Sequence, residues 1–378
     1  MSLGIPLHTH AQVQGVDRVE ILKVLTPHEA RETHLRPEDI LVWGEDGDLE
    51  RGGERPIRIG HFRDKSVVAP GDVIRLRPGA SLVSVLYRRG AFSNTLFTTD
   101  RCNSLCLMCS QPPRDEDDSW RVDELIRQVS LVDPDEAQLG VTGGEPTLLG
   151  EGLERILAAC ATYLPQTHVP VLSNGRNFAD PALAERLHMA HPHGVTWAVP
   201  LYSDVAELHD EVVGADGAFE ETLQGLFELG RLGARVELRV VLHAMTVPRL
   251  PQLAAFIYRR LPFVRHVALM GLEPMGLAKV NRERLWIDPL DYGDTLGSAI
   301  FHLHHRGFPV SIYNLPLCVL PRSLWPFARQ SISGWKNVFP ADCAGCLAKD
   351  HCAGFFASAG PAWRSRGLRP LLIEDFNQ

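Results

Sequence analysis

Apolar and polar positions alternate in short runs through residues 1–90, with turn signals between them. Arg18-Val19-Glu20-Ile21-Leu22, Asp39-Ile40-Leu41-Val42-Trp43 and Asp72-Val73-Ile74-Arg75-Leu76 read as strands, and Pro70-Gly71 and Pro78-Gly79 read as turns. This predicts a β-rich accessory domain over 1–90. Beyond it the period changes. Strand-type runs at 95–99, 137–142, 169–173, 195–202, 236–243 and 267–272 alternate with helix-period stretches at 121–131, 152–163, 181–190, 218–232 and 250–261. A further amphipathic stretch, 289–306, follows the sixth strand. Repeated β–α units predict an α/β region over 91–315, with a parallel sheet and right-handed crossovers. Six units suit either a doubly wound sheet or an incomplete (β/α) barrel, and periodicity does not choose. In both, ligands meet the C-terminal ends of the strands. Residues 316–378 are poor in periodic structure and hold four cysteines, which predicts a region organised by metal.

Charge narrows the classes of partner. The 378 residues carry 38 Lys+Arg against 46 Asp+Glu, a net charge of −8, so the chain as a whole exerts no pull on nucleic acid or an anionic membrane. No apolar run approaches the roughly 18 residues of a membrane span. The opening residues, MSLGIPLHTHAQ, lack a basic segment followed by an apolar one, so a cytoplasmic location is expected. The eight cysteines fall into groups of three, one and four. In a reducing compartment, grouped cysteines point to metal ligation rather than disulfides.

The first group, Cys102-Asn-Ser-Leu-Cys106-Leu-Met-Cys109, follows the first strand of the α/β region. Three thiols on one such loop can wrap three corners of a [4Fe–4S] cube and leave the fourth iron open. A structural zinc site normally takes four ligands, and no Cys or His lies within ten residues on either side. The C-x3-C-x2-C loop resembles the signature of radical S-adenosylmethionine (SAM) enzymes. Met108 stands where that family often has an aromatic residue and can shield a cluster with apolar bulk. A second match is Gly143-Gly144-Glu145-Pro146, whose adjacent glycines permit close approach to the backbone.

The resemblance implies that this turn holds the amino group of the SAM methionine. It further implies ribose contacts from Ser173 and Asn174, a carboxylate contact from Arg239, and an adenine pocket near Met270-Gly271. His209-Asp210, Gly214 and Gly217-Ala218-Phe219 resemble a stretch of the peptide-modifying members. Just before it the chain departs from them, with Pro200-Leu201-Tyr202-Ser203 in place of Ser-Leu-Asp-Gly.

The second group, Cys343, Cys346 and Cys352, has C-x2-C-x5-C spacing, and Cys318 lies 25 residues upstream of it. Four thiolates suit a structural zinc ion or one auxiliary [4Fe–4S] cluster. The spacing resembles part of the auxiliary-cluster domain of peptide maturases, reduced to one cluster because Phe356 stands where the pattern continues with cysteine. Together with Cys102–Pro113 and the 331–337 stretch, these features resemble the HxsC-type maturases of the His-Xaa-Ser peptide system. That resemblance implies a partial (β/α)6 barrel and reductive cleavage of SAM to a 5′-deoxyadenosyl radical. It also implies hydrogen abstraction from a precursor peptide, a partner maturase, and an electron donor such as flavodoxin or ferredoxin. Exposed strand edges in 1–90 would take up a leader peptide. The alternatives are radical chemistry on a small molecule and a zinc-organised binding protein.

Other suggestive residues have plainer readings. Cys160 is expected in the core, His302, His304 and His305 on a solvated face, and His8 and His10 in a disordered tail. Asp115–Asp118 are expected as a solvated helix start.

Overall fold

The computed structural model describes residues 7–331 and 337–376, so the 332–336 part of the 331–337 resemblance lies outside the described residues. The N-terminal strands are β1 (His8–His10), β2 (Gln12–Gln14), β3 (Glu20–Leu25), β4 (Ile40–Trp43), β5 (Leu49–Arg51), β6 (Ile57–Gly60), β7 (Val73–Leu76) and β8 (Leu82–Tyr87). Helix α1 (Pro27–Glu32) follows β3, started by a capping box between Thr26 and Glu29. The strand order is β1-β8-β7-β3-β4-β5-β6-β2, around a core that includes Leu22, Leu41, Leu49, Ile59 and Ile74.

The two end strands of this row are separated only by Ala11, so they are halves of one bent strand and the sheet curls into a barrel-like form. Two expectations change. His8 and His10 are not in a tail but pair with Ser84 and Leu82. The row's ends are three residues each among the described residues, which removes the long open edge that addition of a leader strand needs.

The second sheet begins with β9 (Asn94–Phe97), followed by α2 (Arg121–Val129), β10 (Leu139–Thr142), α3 (Glu151–Tyr163), β11 (Val169–Leu172) and α4 (Pro181–Ala190). It continues with β12 (Val195–Pro200), α5 (Ala206–Val213), α6 (Ala218–Arg231), β13 (Arg235–Leu242), α7 (Leu250–Arg260) and β14 (His266–Gly271). Two short helices, α8 (Leu277–Val280) and α9 (Arg282–Leu285), precede α10 (Gly293–His304), β15 (Val310–Tyr313) and β16 (Ala328–Arg329). All six expected strands are present. The row runs on with β15 and β16, the latter supplied by the cysteine-rich region.

The eight strands are parallel and stand in sequence order. Right-handed crossovers between strands added in one direction place every helix on the same face, so the sheet is singly wound rather than doubly wound. Accordingly α2 packs on α3, α3 on α4, α4 on α6, and α7 on α10. Along β13 the alternation is direct: Val236, Leu238, Val240 and Leu242 are buried toward the helices, whereas Glu237 and Arg239 face the other side. No helix among the described residues is long and apolar enough to cross a membrane.

The two sheets share a boundary. Ile21, Val73 and Tyr87 join the apolar cluster of the parallel sheet. Around them Lys23 and Arg89 donate to Asp133, and Arg75 pairs with Glu124 at 3.1 Å. Burial alone would raise the Asp133 carboxyl, but the hydrogen bonds from Arg89 and Lys23 outweigh it and hold the group below the usual carboxylate range. Its contribution to stability is therefore complete near neutral pH and is lost as the pH falls below about 4 toward the folded-state value. Replacing Asp133 with Asn leaves buried Lys23 without its anion and should lower the unfolding free energy by about 3 kcal/mol. Urea titrations at neutral pH and near pH 3 measure this, with the difference between the two proteins shrinking in acid.

Candidate active site

The loop that carries Cys102, Cys106 and Cys109 has no helix or strand of its own, so its buried amides and carbonyls depend on neighbouring segments. The end of α5 provides one support: the amides of Leu105 and Leu107 donate to the carbonyls of Val213 and Val212, both at 2.9 Å. The region after β14 provides another. The Leu277 amide donates to the Cys109 carbonyl at 2.8 Å, and Asn281 Nδ2 donates to the Leu107 carbonyl at 2.8 Å. Gly276, with φ of 54°, allows this approach, since a Cβ there would lie 2.4 Å from the Cys109 carbonyl oxygen.

The third support is the turn after β11. Asn174 Nδ2 donates to Asn103 Oδ1 at 2.6 Å, and Arg176 donates to the Asn103 carbonyl and to Ser104 Oγ. Glu145 holds that turn in place. It is fully buried and accepts four hydrogen bonds: from the Thr147 amide at 3.0 Å, Thr147 Oγ1 at 2.6 Å, Ser173 Oγ at 2.8 Å and the Asn174 amide at 2.6 Å. Burial pushes its carboxyl above the usual range, and these donors pull the other way. The adjacent glycines also answer to the chain itself. A Cβ on Gly144 would sit 2.2 Å from the Arg101 carbonyl oxygen, and one on Gly143 would sit 2.7 Å from that of Thr99.

Thus Cys102, Cys106, Cys109, Glu145, Ser173 and Asn174 are brought into one hydrogen-bonded neighbourhood. Gly143, Gly144 and Pro146 lie in the adjoining turn. The side chains of Glu145, Ser173 and Asn174 are occupied in bracing it. Arg239 stands on the inner face of β13, its Nε donating to Glu237 at 2.7 Å, and Glu237 also pairs with His266 at 2.8 Å. Met108 packs with Cys106, Tyr202, Val212 and Leu285.

The thiols are crowded. Burial, with added repulsion from Cys102 and Cys109, pushes Cys106 up to about 12, and burial pushes Cys102 up to about 11. Three such thiols become thiolates together only beside a strong cation, so the donor set fits an iron–sulfur cluster.

The second group also converges. Cys318, Cys343, Cys346 and Cys352 line one small cavity with Phe339, Phe355 and Leu371. Backbone amides point at its sulfurs: Leu317 and Gly354 donate to Cys352 Sγ at 3.3 and 3.4 Å, and Leu371 donates to Cys346 Sγ at 3.3 Å. Burial and then the three neighbouring thiols push Cys343 up to about 11. Amide donors aimed at sulfur are the environment that stabilises a ligating thiolate. No three His, Cys, Asp or Glu side chains among the described residues gather around a single-ion position.

Cys160 is buried in the core, as its position on an apolar helix implied. The Asp115–Asp118 run differs from its solvated reading at one residue. Asp118 is buried, accepts from the Asp100 amide at 2.6 Å and pairs with Arg101 at 3.5 Å, so it helps to shape the approach to Cys102. Asp118 and Arg176 belong to no recognisable motif, and Asn103 is a spacer position of the C-x3-C-x2-C loop. The only sequence sign was that Arg176 directly follows Ser173-Asn174-Gly175.

Residues 96–257 match the family described as the Radical SAM superfamily. Those residues form a radical SAM domain, which contains the cysteine loop, the Gly143–Pro146 turn and the turn after β11. Among solved structures it is similar to Streptococcus suis SuiB bound to S-adenosylmethionine, at 12% identity and a TM-score of 0.46, over 60% of this chain and 51% of that one. It is also similar to anSMEcpe with bound AdoMet and the Cp18Cys peptide, at 14% identity and a TM-score of 0.44, over 57% and 62%. A radical SAM methyltransferase from Sphaerobacter thermophilus matches at 16% identity and a TM-score of 0.41, over 66% and 74%. The chain spans about half the length of SuiB. No curated protein matches it in sequence.

Glu145 gives a direct test of the bracing. A Glu145→Gln substitution turns one acceptor into a donor that faces existing donors. It should lower stability by about 2 kcal/mol and reduce the iron retained by the Cys102–Cys109 loop. Thermal melting and iron analysis after anaerobic reconstitution would read both effects, and wild-type values for both would reject the role.

Proposed function

We propose that the protein is a radical SAM peptide maturase with two iron–sulfur sites, acting on a ribosomally made precursor of His-Xaa-Ser type. The observation that carries this reading is the pair of thiol groups, three on the loop after β9 and four gathered in the C-terminal region. In this reading Cys102, Cys106 and Cys109 hold the SAM-binding [4Fe–4S] cluster. Cys318, Cys343, Cys346 and Cys352 hold one auxiliary cluster. When bound, the first cluster and SAM supply a one-electron reductive cleavage that yields a 5′-deoxyadenosyl radical able to remove hydrogen from a substrate.

The chain's own residues orient and enclose. The backbone from Gly143 to Pro146 meets the SAM amino group while the Glu145 side chain keeps the turn after β11 in register. Ser173 and Asn174 present that turn toward the ribose through its backbone. Among the described residues Arg239 donates only through Nε, to Glu237, which leaves its terminal guanidinium nitrogens for the SAM carboxylate. The partial barrel and the cover of 316–378 exclude water from the radical. That is more enclosing structure than a small metabolite requires. In this reading the enzyme works in the cytoplasm, with an electron donor such as flavodoxin or ferredoxin and a partner maturase.

Two measurements test this. Anaerobically purified protein should carry about eight irons, four per cluster; about four irons with stoichiometric zinc would remove the auxiliary cluster. Co-expression with the precursor peptide and the partner maturase should change the peptide's mass, and a Cys106→Ala variant should abolish the change. An unmodified peptide with the intact enzyme would remove the peptide substrate.

A further inference from the structure

The cavity into which the four C-terminal thiols converge carries charge of one sign. Among the described residues that line it there is no carboxylate, and the two charged side chains are Lys349 and Arg369. Lys349 holds its Nζ 5.3 Å from the centre of the Phe339 ring, another part of the same wall. Arg369 is tied in at two points. Its amide bonds the sulfur of Cys318, and its guanidinium is gripped by a carboxylate that stands behind the lining. The first thiol group is different. There, beyond its burial, Cys102 feels both the carboxylate of Glu145 and the guanidinium of Arg176.

The carboxylate behind Arg369 is Asp375. It accepts from Nη1 at 2.8 Å and from Nη2 at 2.6 Å, the two-pronged geometry that fixes a guanidinium in direction as well as in place. Asp375 is itself held by the Leu372 amide at 2.8 Å. The segment between them is part of the site, since the Leu371 amide donates to Cys346 Sγ and its carbonyl accepts from the Leu347 amide at 2.9 Å. The bond to Asp375, with burial opposing it, and then the charges of Asp375, Cys318 and Cys346 hold the guanidinium firmly in its charged form. The pair therefore presents its cation to the sulfurs and keeps its anion on the far side. The Arg369 side chain is 55% exposed, so water screens it and it biases the site without neutralising it.

We infer that the Arg369–Asp375 pair sets the reduction potential of the cluster held by Cys318, Cys343, Cys346 and Cys352, with Arg369 raising it and Asp375 moderating the rise. The inference rests on the two-cluster reading of the protein. An electron added to a thiolate-bound cluster adds negative charge, so a nearby cation favours the reduced form and a nearby anion opposes it. Arg369 is the nearer of the two, and the net effect of the pair is to ease reduction. Lys349 acts in the same direction from a different segment. A pair that only propped up the chain would behave otherwise: loss of either member would disturb the site in the same way. Loss of charge has a sign, and the two members carry opposite signs.

The test is a reductive titration of the anaerobically reconstituted full-length enzyme with dithionite, followed by electron paramagnetic resonance. The signal that added SAM leaves unaltered belongs to the second cluster. Arg369→Gln should lower the equilibrium constant for its one-electron reduction about fivefold, or ~40 mV at ~59 mV per tenfold. Asp375→Asn should raise it by a similar factor, and Arg369→Lys should return it to within about twofold of the wild-type value. Lys349→Gln should lower it as well, which keeps the test open if Arg369→Gln fails to load. Iron content and melting temperature show which variants are loaded and folded. A shift of Arg369→Gln and Asp375→Asn in the same direction overturns the inference, and so does an unmoved potential in the loaded variants. The two readings fail separately. A second signal that is present but unmoved rejects the charge effect alone. A SAM-sensitive signal with no second one, about four irons and stoichiometric zinc, rejects the two-cluster reading and the inference with it.

Discussion

Everything chemical in this protein depends on holding eight residues of irregular backbone still. The Cys102–Cys109 loop has no ladder of its own, and a buried amide without a partner costs about 1–3 kcal/mol. The fold answers by lending hydrogen bonds from three directions: the end of α5, the turn after β11 and the start of α8. Glu145 is the point on which the second of these turns. Its four donors come from its own turn and from the turn after β11, so its carboxylate couples the ends of two strands that sit side by side in the sheet.

The same crowding explains the electrostatics. Two groups of thiols sit in partly buried, low-dielectric surroundings with their sulfurs facing one another, a state that opposes ionisation. The protein supplies only limited local relief, from the guanidinium of Arg176 near the first group and backbone amides near the second. The remaining compensation falls to whatever cation the thiolates bind. Where both groups bind metal as proposed, loading and local folding are a single process at each.

Much of the architecture was legible in the chain because periodicity and motif report it directly. The six strands of the α/β region, the loop with C-x3-C-x2-C spacing and the burial of Cys160 all belong to that kind. What was not legible depends on partners remote in sequence. Val310–Tyr313 is four residues between Pro309 and Pro316, and it becomes a strand because β14 offers it a ladder. Ala328–Arg329 is a two-residue strand for the same reason. The choice between singly and doubly wound sheets lay in strand order, which local pattern does not carry. Cys318 could be assigned to the later cysteines by count, but only the fold turns all four toward one cavity. Asp118 and Arg176 look like surface charges until the neighbouring backbone is placed beside them.

The support that α8 gives the cysteine loop also sets a clock on assembly. Asn281 lies 174 residues after its partner Leu107. At about 5–20 residues per second, a ribosome needs roughly ten to thirty seconds to make that interval. For that time Cys102, Cys106 and Cys109 exist in a nascent chain whose last support has not been synthesised. On the proposed cluster reading, delivery of iron and sulfide has a natural window while the chain is still being made. Once Leu277 and Asn281 arrive, the backbone of the loop is bound from the remaining side, and later access requires those hydrogen bonds to open.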